Sequence, residues 1–156
     1  MKKYVKDSYV IMHELILPND TNNLDTVFGG KVMQYMDLCA AMSAYKFARS
    51  AVVTASVDRL DFLAPARVGD MLILKSSVNY NNRSSMEVGV RIDAENVKTG
   101  ETRHTASAYL TFVSLDEEGK PQKVKNIIAE SDDEIRRYKE GKVRHAQRLK
   151  RLKGRK

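Results

Sequence analysis

The stretch FGGKVMQYMDLCAAMSAYKF, residues 28–47, decides the fold. Two glycines open a run of residues that favour a helix, and apolar side chains occupy nearly every side of that helix. A helix of this kind is normally buried, because no side of it suits contact with water. We therefore expect a central helix inside the protein that begins at Phe28-Gly29-Gly30 and runs to about Arg49-Ser50.

One carboxylate, Asp37, lies in the middle of this helix. Its neighbours three and four positions away are Met33, Gln34, Ala40 and Ala41, so no lysine or arginine of the same helix face can pair with it. An unpaired buried charge is costly, and such groups collect at functional sites. Asp37 is therefore either a functional group or an aspartate satisfied by core hydroxyls or by an interface, and its helix leaves both readings open.

Strand patterns account for most of the remaining sequence. The predicted strands are residues 8–17, 51–63, 71–80, 86–94 and 102–115, of which 86–94 shows the clearest alternation of apolar and polar side chains. The connections between them, with proline and glycine at 64–70, are too short for parallel crossovers and suggest hairpin-type links. One apolar helix followed by four long strands predicts an α+β fold with an antiparallel sheet around the helix.

Composition narrows the class of protein further. A chain of 156 residues with 42% hydrophobic residues suits one ordinary domain and is not disordered as a whole. It has no apolar run long enough to span a membrane and no apolar segment after the charged N-terminus, so we expect a cytoplasmic protein without a membrane partner. The lone Cys39 cannot form an intrachain disulfide, and the three histidines lack metal-ligand spacing. We expect neither a metal nor a bound cofactor.

The net positive charge of the chain is concentrated in its C-terminal segment. Residues 131–156 contain eleven Lys or Arg against four Asp or Glu, which equals the net charge of +7 of the whole chain. Ser131 followed by three acidic residues is a helix start, and the later basic residues suit the end of a helix. We therefore divide the chain into a body, residues 1–122, and a linker with a basic C-terminal helix or tail, residues 123–156.

Five short motifs, in this order and spacing, resemble the hotdog-fold acyl-CoA thioesterases, in particular the cytosolic acyl-CoA hydrolase branch. They are Asp20-Thr21-Asn22, Val27-Phe28-Gly29-Gly30, Met36-Asp37, Phe62-Leu63-Ala64-Pro65 and Val68-Gly69-Asp70. The resemblance covers about residues 8–122 and implies an antiparallel sheet wrapped around a central helix. It also implies a homodimer whose sheets join edge to edge, with shared active sites, and a trimer of dimers, a homohexamer.

The resemblance also implies roles for two residues. Asp37 matches the catalytic carboxylate, as general base or nucleophile, and Asn22 of the partner subunit matches the asparagine that orients water or the thioester. Many relatives have a histidine where Phe28 stands here, so no histidine role is carried over.

The residues themselves suggest two further sites. The backbone amides of Gly29 and Gly30, at a helix N-terminus, are suited to the oxygen that becomes negative during thioester hydrolysis, and the alternative is that the pair is only a flexible helix entry. Arg83, Ser84 and Ser85 combine a cation with two hydroxyls at a strand entry, which suits the phosphates of coenzyme A, although such triplets are usually solvated turns.

The predicted function is hydrolysis of acyl-CoA to a free fatty acid and CoA, in fatty acid metabolism. The sequence has no Gly-x-Ser-x-Gly motif, so we do not expect a serine esterase. One alternative is a hotdog protein that binds acyl-CoA without cleaving it. Another is binding of nucleic acid or an anionic surface through the basic tail, although Tyr138 is the only aromatic residue there for base stacking and we do not expect a nucleic acid partner.

Overall fold

The computed structural model describes residues 1–155. Seven strands and two α-helices follow one another as β1 (Lys3–Tyr4), β2 (Val10–Leu15), α1 (Gly29–Ala48), β3 (Ala51–Phe62), β4 (Asp70–Asn81), β5 (Ser85–Asn96), β6 (Thr102–Leu115), β7 (Ile127–Ile128) and α2 (Asp132–Lys153). Two short 3-10 helices, Val5–Ser8 and Pro18–Asp20, flank β2. Strands β1 and β7 pair in parallel near the chain ends.

The main sheet contains five antiparallel strands in the order β2-β4-β5-β6-β3. The predicted α+β fold with an antiparallel sheet is therefore confirmed. Hairpin links join β4 to β5 and β5 to β6, but a hairpin link between β3 and β4 is wrong, because β3 pairs with β6 at the sheet edge. Residues 63–69 cross three strand spacings of about 14 Å in total, which an extended segment of that length can span.

Strand β3 is irregular at two points. Its pairing with β6 shifts register between Thr54 and Ser56 and again between Val57 and Arg59. Such bulges bend a strand and increase its local twist. The free edge of β3 is therefore kinked in its middle.

Helix α1 packs one face on the sheet. Its buried residues are Val32, Met36, Cys39, Ala40, Ser43, Ala44 and Phe47. The expectation that the whole helix is buried is wrong for the single chain, because the sheet covers only one side of it. Met33, Leu38 and Tyr45 are 45 to 51% exposed, and Asp37 is also exposed. Neither α1 nor any other helix within residues 1–155 is long and apolar enough to cross a bilayer.

Helix α2 lies on the opposite face of the sheet from α1. Its start is fixed as predicted, because Ser131 and Glu134 form a reciprocal capping box. The Arg144 guanidinium donates to both carboxylate oxygens of Glu87 on β5, at 2.7 and 3.0 Å, and lies 3.7 Å from the ring centre of Tyr109 on β6. The boundary at residue 122 stays a prediction, and α2 makes direct contacts with the sheet that precedes it.

Loss of the Arg144 side chain should weaken the attachment of α2. In an Arg144→Met variant, the Glu87 carboxylate, 5% exposed, would keep only Asn79 as a side-chain partner. We expect the free energy of unfolding to fall by about 2 kcal/mol, less than for a fully buried pair because Arg144 is 20% exposed. Urea unfolding at one protein concentration, followed by circular dichroism, measures this change.

Arg136 provides the matched control, since it pairs with Asp133 and Glu140 on the exposed side of α2. An Arg136→Met variant should lose less than about 1 kcal/mol, as exposed ion pairs do. Equal losses in the two variants would show that the contact between Arg144 and Glu87 does not hold α2 on the sheet.

Candidate active site

The Asp37 carboxylate is held in place by a threonine on the neighbouring strand. Thr54 Oγ1 donates a hydrogen bond of 2.7 Å to Asp37 Oδ1. Thr54 is opposite the buried Phe112 in the register of β3 and β6, so its side chain projects from the sheet face that carries α1. Among residues 1–155, nothing donates to Asp37 Oδ2. One carboxylate oxygen is therefore fixed, and the other is available for a reaction.

The sequence analysis missed Thr54. Alternation along β3 places it on the helix side of the sheet, but only the crossing of α1 over β3 brings it opposite Asp37. The earlier expectation of a buried Asp37 needs correction, because the carboxylate is exposed in the single chain. The hydroxyl that bonds it belongs to the exposed Thr54 and not to the core, and this contact leaves both readings of Asp37 open.

The surface around Asp37 is apolar. Met33 and Leu38 on α1 and Val57 on β3 are each 45 to 51% exposed. Strand β3 is also an edge strand, whose outer backbone groups have no neighbour in the sheet. Exposed apolar patches of this kind mark interaction surfaces. The carboxylate thus lies on a surface suited to contact with a second chain.

Asn22 is fixed within its own loop. Its Oδ1 accepts hydrogen bonds from Leu24 N at 2.9 Å, from Thr26 Oγ1 at 3.1 Å and from Thr26 N at 3.3 Å. The structure gives its side-chain nitrogen no acceptor among the described residues. Asn22 can therefore present two N–H donors without any change in the loop.

The loop that carries Asn22 is attached to the start of α1. Phe28 N donates to the Asp20 carbonyl at 2.8 Å, and Lys31 Nζ lies 3.7 Å from Asp20 Oδ1. Val27 N donates to the Ala66 carbonyl at 2.8 Å, which joins the loop to the segment after β3. Asn22 accordingly belongs to the end of the molecule where α1 begins and β3 ends.

Gly29 and Gly30 are the first two residues of α1. Amides at this position have no acceptor within their helix, so they can bind an external oxygen. A Cβ on Gly30 would lie 2.7 Å from Phe28 Cε1, so a larger residue there would displace this exposed ring. Gly29 also borders an open cavity of about 390 Å³ with mostly apolar walls, including Val32, Phe62 and Leu63.

The predicted residues do not form one site in a single chain. Asp37 follows Gly29 a little more than two helical turns later, about 12 Å along the axis, so the two cannot touch one small reacting group. Arg83, Ser84 and Ser85 connect β4 to β5, and Ser85 shares its position along the sheet with Val113 and Val53, near the start of β3. Gly29 instead faces Phe62 at the end of β3.

The Cys39 thiol, also on α1, is not an alternative nucleophile to Asp37. Burial raises the pKa of the Cys39 thiol, although a hydrogen bond to Ser76 opposes this shift, and Cys39 is fully buried. A buried thiol with a raised pKa is a poor nucleophile. Within residues 1–155, no three His, Cys, Asp or Glu side chains come together in a way that could hold a metal ion.

Comparison with known protein sequences identifies the family. A sequence model described as Thioesterase superfamily matches residues 24–101. The chain is 43% identical over 133 residues to the Bacillus subtilis protein YkhA, named an uncharacterized acyl-CoA thioester hydrolase, with 85% of this chain and 77% of that protein covered. It is also 36% identical to the mouse cytosolic acyl coenzyme A thioester hydrolase, of which it spans only 35%.

Solved structures agree with the sequence comparison. An apo-hexameric acyl-CoA thioesterase has a TM-score of 0.93 and 45% identity, with 97% of this chain and 98% of that chain covered. An acyl-CoA hydrolase from Staphylococcus aureus, solved with butyryl coenzyme A, coenzyme A and coenzyme A disulfide, has a TM-score of 0.91 and 38% identity, with 99% of this chain and 95% of that chain covered.

The Staphylococcus aureus protein has also been solved with alanine in place of an asparagine, an aspartate and a threonine. Those three positions have the same spacing along its chain as Asn22, Asp37 and Thr54 have here. Family model, sequence identity and three-dimensional similarity therefore agree, and the chain belongs to the thioesterase superfamily of hotdog-fold proteins.

Proposed function

We propose that this protein hydrolyses acyl-CoA to a carboxylic acid and CoA at active sites shared between two subunits. The observation that carries the proposal is the exposed Asp37 carboxylate, oriented by Thr54 beside the free edge of β3. The names of the relatives support this substrate class, as does the butyryl coenzyme A bound by the Staphylococcus aureus enzyme.

Thioester hydrolysis at this site requires two subunits, because the groups that it needs lie far apart within a single chain. Thioester hydrolysis needs a base or nucleophile and also hydrogen-bond donors about 3 Å from the developing oxyanion. Asp37 and the Gly29 amide are about 12 Å apart along one helix. If two β3 edges pair about a two-fold axis, the strands run antiparallel, and the start of one β3 lies beside the end of the other. Asp37 then approaches the Asn22 loop of the partner subunit.

Each group has a defined task in this arrangement. Asp37 Oδ2 takes a proton from the attacking water or attacks the thioester carbon itself, while Thr54 holds Oδ1. The amides of Gly29 and Gly30 of the partner subunit donate to the oxyanion, and the positive end of α1 favours its charge. The free side-chain N–H groups of Asn22 of the partner subunit orient the water or the thioester. Collapse of the tetrahedral intermediate breaks the C–S bond and releases CoA as the thiolate. In the direct route the acyl group stays on Asp37 as a mixed anhydride, which water then hydrolyses to the carboxylic acid.

The same pairing gives Arg83, Ser84 and Ser85 a role. They lie near the start of β3, so the two-fold axis brings them toward the α1 N-terminus of the partner subunit. Arg83 is exposed and forms no ion pair within the described chain. We assign to these three residues the binding of the coenzyme A phosphates, which charge-assisted hydrogen bonds favour.

We also propose that the dimers assemble as a trimer of dimers, since a hexameric thioesterase is among the similar structures. The alternative of a non-catalytic acyl-CoA-binding protein is less well supported, because binding alone needs no oriented carboxylate. Binding of nucleic acid by α2 is also less well supported. Two of its arginines are engaged with the sheet, Arg144 with Glu87 and Arg151 with Asp58.

Replacement of the carboxylate tests the central assignment. An Asp37→Asn variant keeps the shape of the side chain but removes the base, so we expect kcat to fall about 100-fold or more. Thiol release from a panel of acyl-CoAs measures the rate, and the same panel reports the preferred chain length. An Asp61→Asn variant, altered at an exposed site on the outer side of β3, is the control. If Asp37→Asn keeps nearly wild-type activity, the carboxylate has a structural role and not a catalytic one.

Thr54 should act by positioning Asp37. A Thr54→Val variant keeps the shape of the side chain and loses the hydroxyl, so we expect kcat to fall about tenfold with little change in KM, as for the loss of one hydrogen bond to a charged group. Thr54→Ser should restore most of the rate. A Thr54→Ser variant as slow as Thr54→Val would indicate a packing role for the methyl group instead.

Subunit mixing tests the shared site. Asp37→Ala and Asn22→Ala proteins should each be nearly inactive, but a mixed dimer contains one site with both residues intact. Random exchange should therefore restore about a quarter of the wild-type activity, because half of the dimers are mixed and each has one active site of two. Differently tagged subunits verify the exchange. If the subunits exchange but activity does not recover, Asp37 and Asn22 of the same subunit form the site.

A further inference from the structure

We propose that the outer face of the sheet carries a second binding site, for a small molecule with a diphosphate group. A cavity of about 420 Å³ lies there, bordered by the middle of β4, β5 and β6, by Tyr9 and Ile11, and by the first turns of α2. Asp37 and α1 lie on the other face of the sheet. The site is therefore separate from the proposed active site within each chain.

Two neighbouring rows of side chains form the floor of this cavity. Lys75, Arg91 and Ser107 are opposite one another on adjacent strands and form the first row. Ser77, Gly89 and Tyr109 form the second row in the same way. Arg136 and Arg137 of α2 add two further cations at the wall.

The lining is strongly cationic. Four of its side chains carry a positive charge, Lys75, Arg91, Arg136 and Arg137, and no carboxylate lines the cavity. Lys75 forms no ion pair in the described part of the chain. A concave surface with one sign of charge concentrates ligands of the opposite sign.

The three arginines already have partners, but these partners are weak competitors for a phosphate. Arg91 pairs with Asp93 at 3.2 Å, and Arg136 and Arg137 pair with Asp133 at 3.2 and 3.6 Å. The arginine side chains in these pairs are 45 to 59% exposed. Exposed pairs contribute at most about 1 kcal/mol, whereas a phosphate offers arginine two parallel hydrogen bonds. Replacement of these carboxylates by a phosphate as the partner of the arginines therefore costs little free energy.

One buried carboxylate beside the floor is neutralised. Glu87 follows the second floor row on β5, but Arg144 binds both of its oxygens and Asn79 Nδ2 lies 3.2 Å from Oε1. A Cβ on Gly89 would lie 2.8 Å from Asn79 Nδ2, so glycine at this position allows the amide to reach Glu87. The neutral Asn79 amide therefore covers the centre of the floor, where no charged side chain lies. Glu134, which accepts from the Tyr9 hydroxyl at the wall, is one negative charge that the four cations of the lining outnumber.

The size of the cavity indicates more than a single phosphate. A volume of about 420 Å³ falls within the range of pockets for small organic ligands. Tyr9 has its hydroxyl fixed on Glu134 Oε1 at 2.7 Å, so its ring offers a preset surface for the organic part of the ligand. Ser77 and Ser107 supply hydroxyl donors beside the cations. A nucleoside diphosphate and the nucleotide end of coenzyme A share this chemistry.

Isothermal titration calorimetry of the whole chain with ADP and with 3′-phospho-ADP, the nucleotide end of coenzyme A, tests the site without any assay of activity. We expect saturable binding of at least one of them, one molecule per chain, which weakens as salt is added. A Lys75→Gln/Arg137→Gln variant should raise Kd about tenfold or more, since two charge-assisted contacts are lost. Lys98→Gln, the same change on the β5–β6 turn, should leave Kd within about twofold.

Two comparisons identify the source of the ligand and separate the two sites. Preference for ADP indicates a free nucleotide, and preference for 3′-phospho-ADP indicates coenzyme A itself. In either case Arg83→Gln, which alters the proposed coenzyme A phosphate site of the active site, should leave this binding unchanged. The proposal is overturned if neither nucleotide binds saturably, or if both Lys75→Gln/Arg137→Gln and the single variant Arg137→Gln, confirmed as folded by thermal unfolding, bind as tightly as Lys98→Gln.

Discussion

The packing of α1 on the sheet is the contact on which the rest of the structure depends. A five-stranded sheet can cover only one side of a helix, so the apolar residues on the other side of α1 stay exposed, with Asp37 among them. The same packing places Asp37 opposite Thr54 and leaves the Gly29 amide at the far end of the helix. The proposed catalytic groups are thus divided along one helix, and their separation in a single chain follows from how that helix is buried.

The sequence predicted the parts of this fold that depend on local pattern. The limits of β6 and the capped start of α2 at Ser131 agree with the structure, because strand alternation and helix capping are written into neighbouring residues. The neighbour of β3 was not predictable in this way. Its apolar alternation identifies a strand and its buried side but does not say that β6 lies beside it.

The same limit applies to the candidate site. Asp37, Asn22 and the two glycines could be selected from the sequence, since they belong to short motifs with a recognisable order. Thr54 could not, because its link to Asp37 depends on the crossing of a helix over a strand. The position of α2 on the sheet could not be predicted from the sequence either. Its contact through Arg144 needs the buried Glu87 on a strand far away in sequence, and a list of charges does not reveal such a partner.

The two bulges of β3 bear on the solubility of the protein. A long, flat edge strand is a template on which foreign or misfolded chains add as further strands. Strand β3 has the length for this, but its kinks between Thr54 and Ser56 and between Val57 and Arg59 interrupt the regular ladder of hydrogen bonds. A straight strand from another protein cannot form a continuous ladder along this path. The irregular edge thereby disfavours aggregation through added strands.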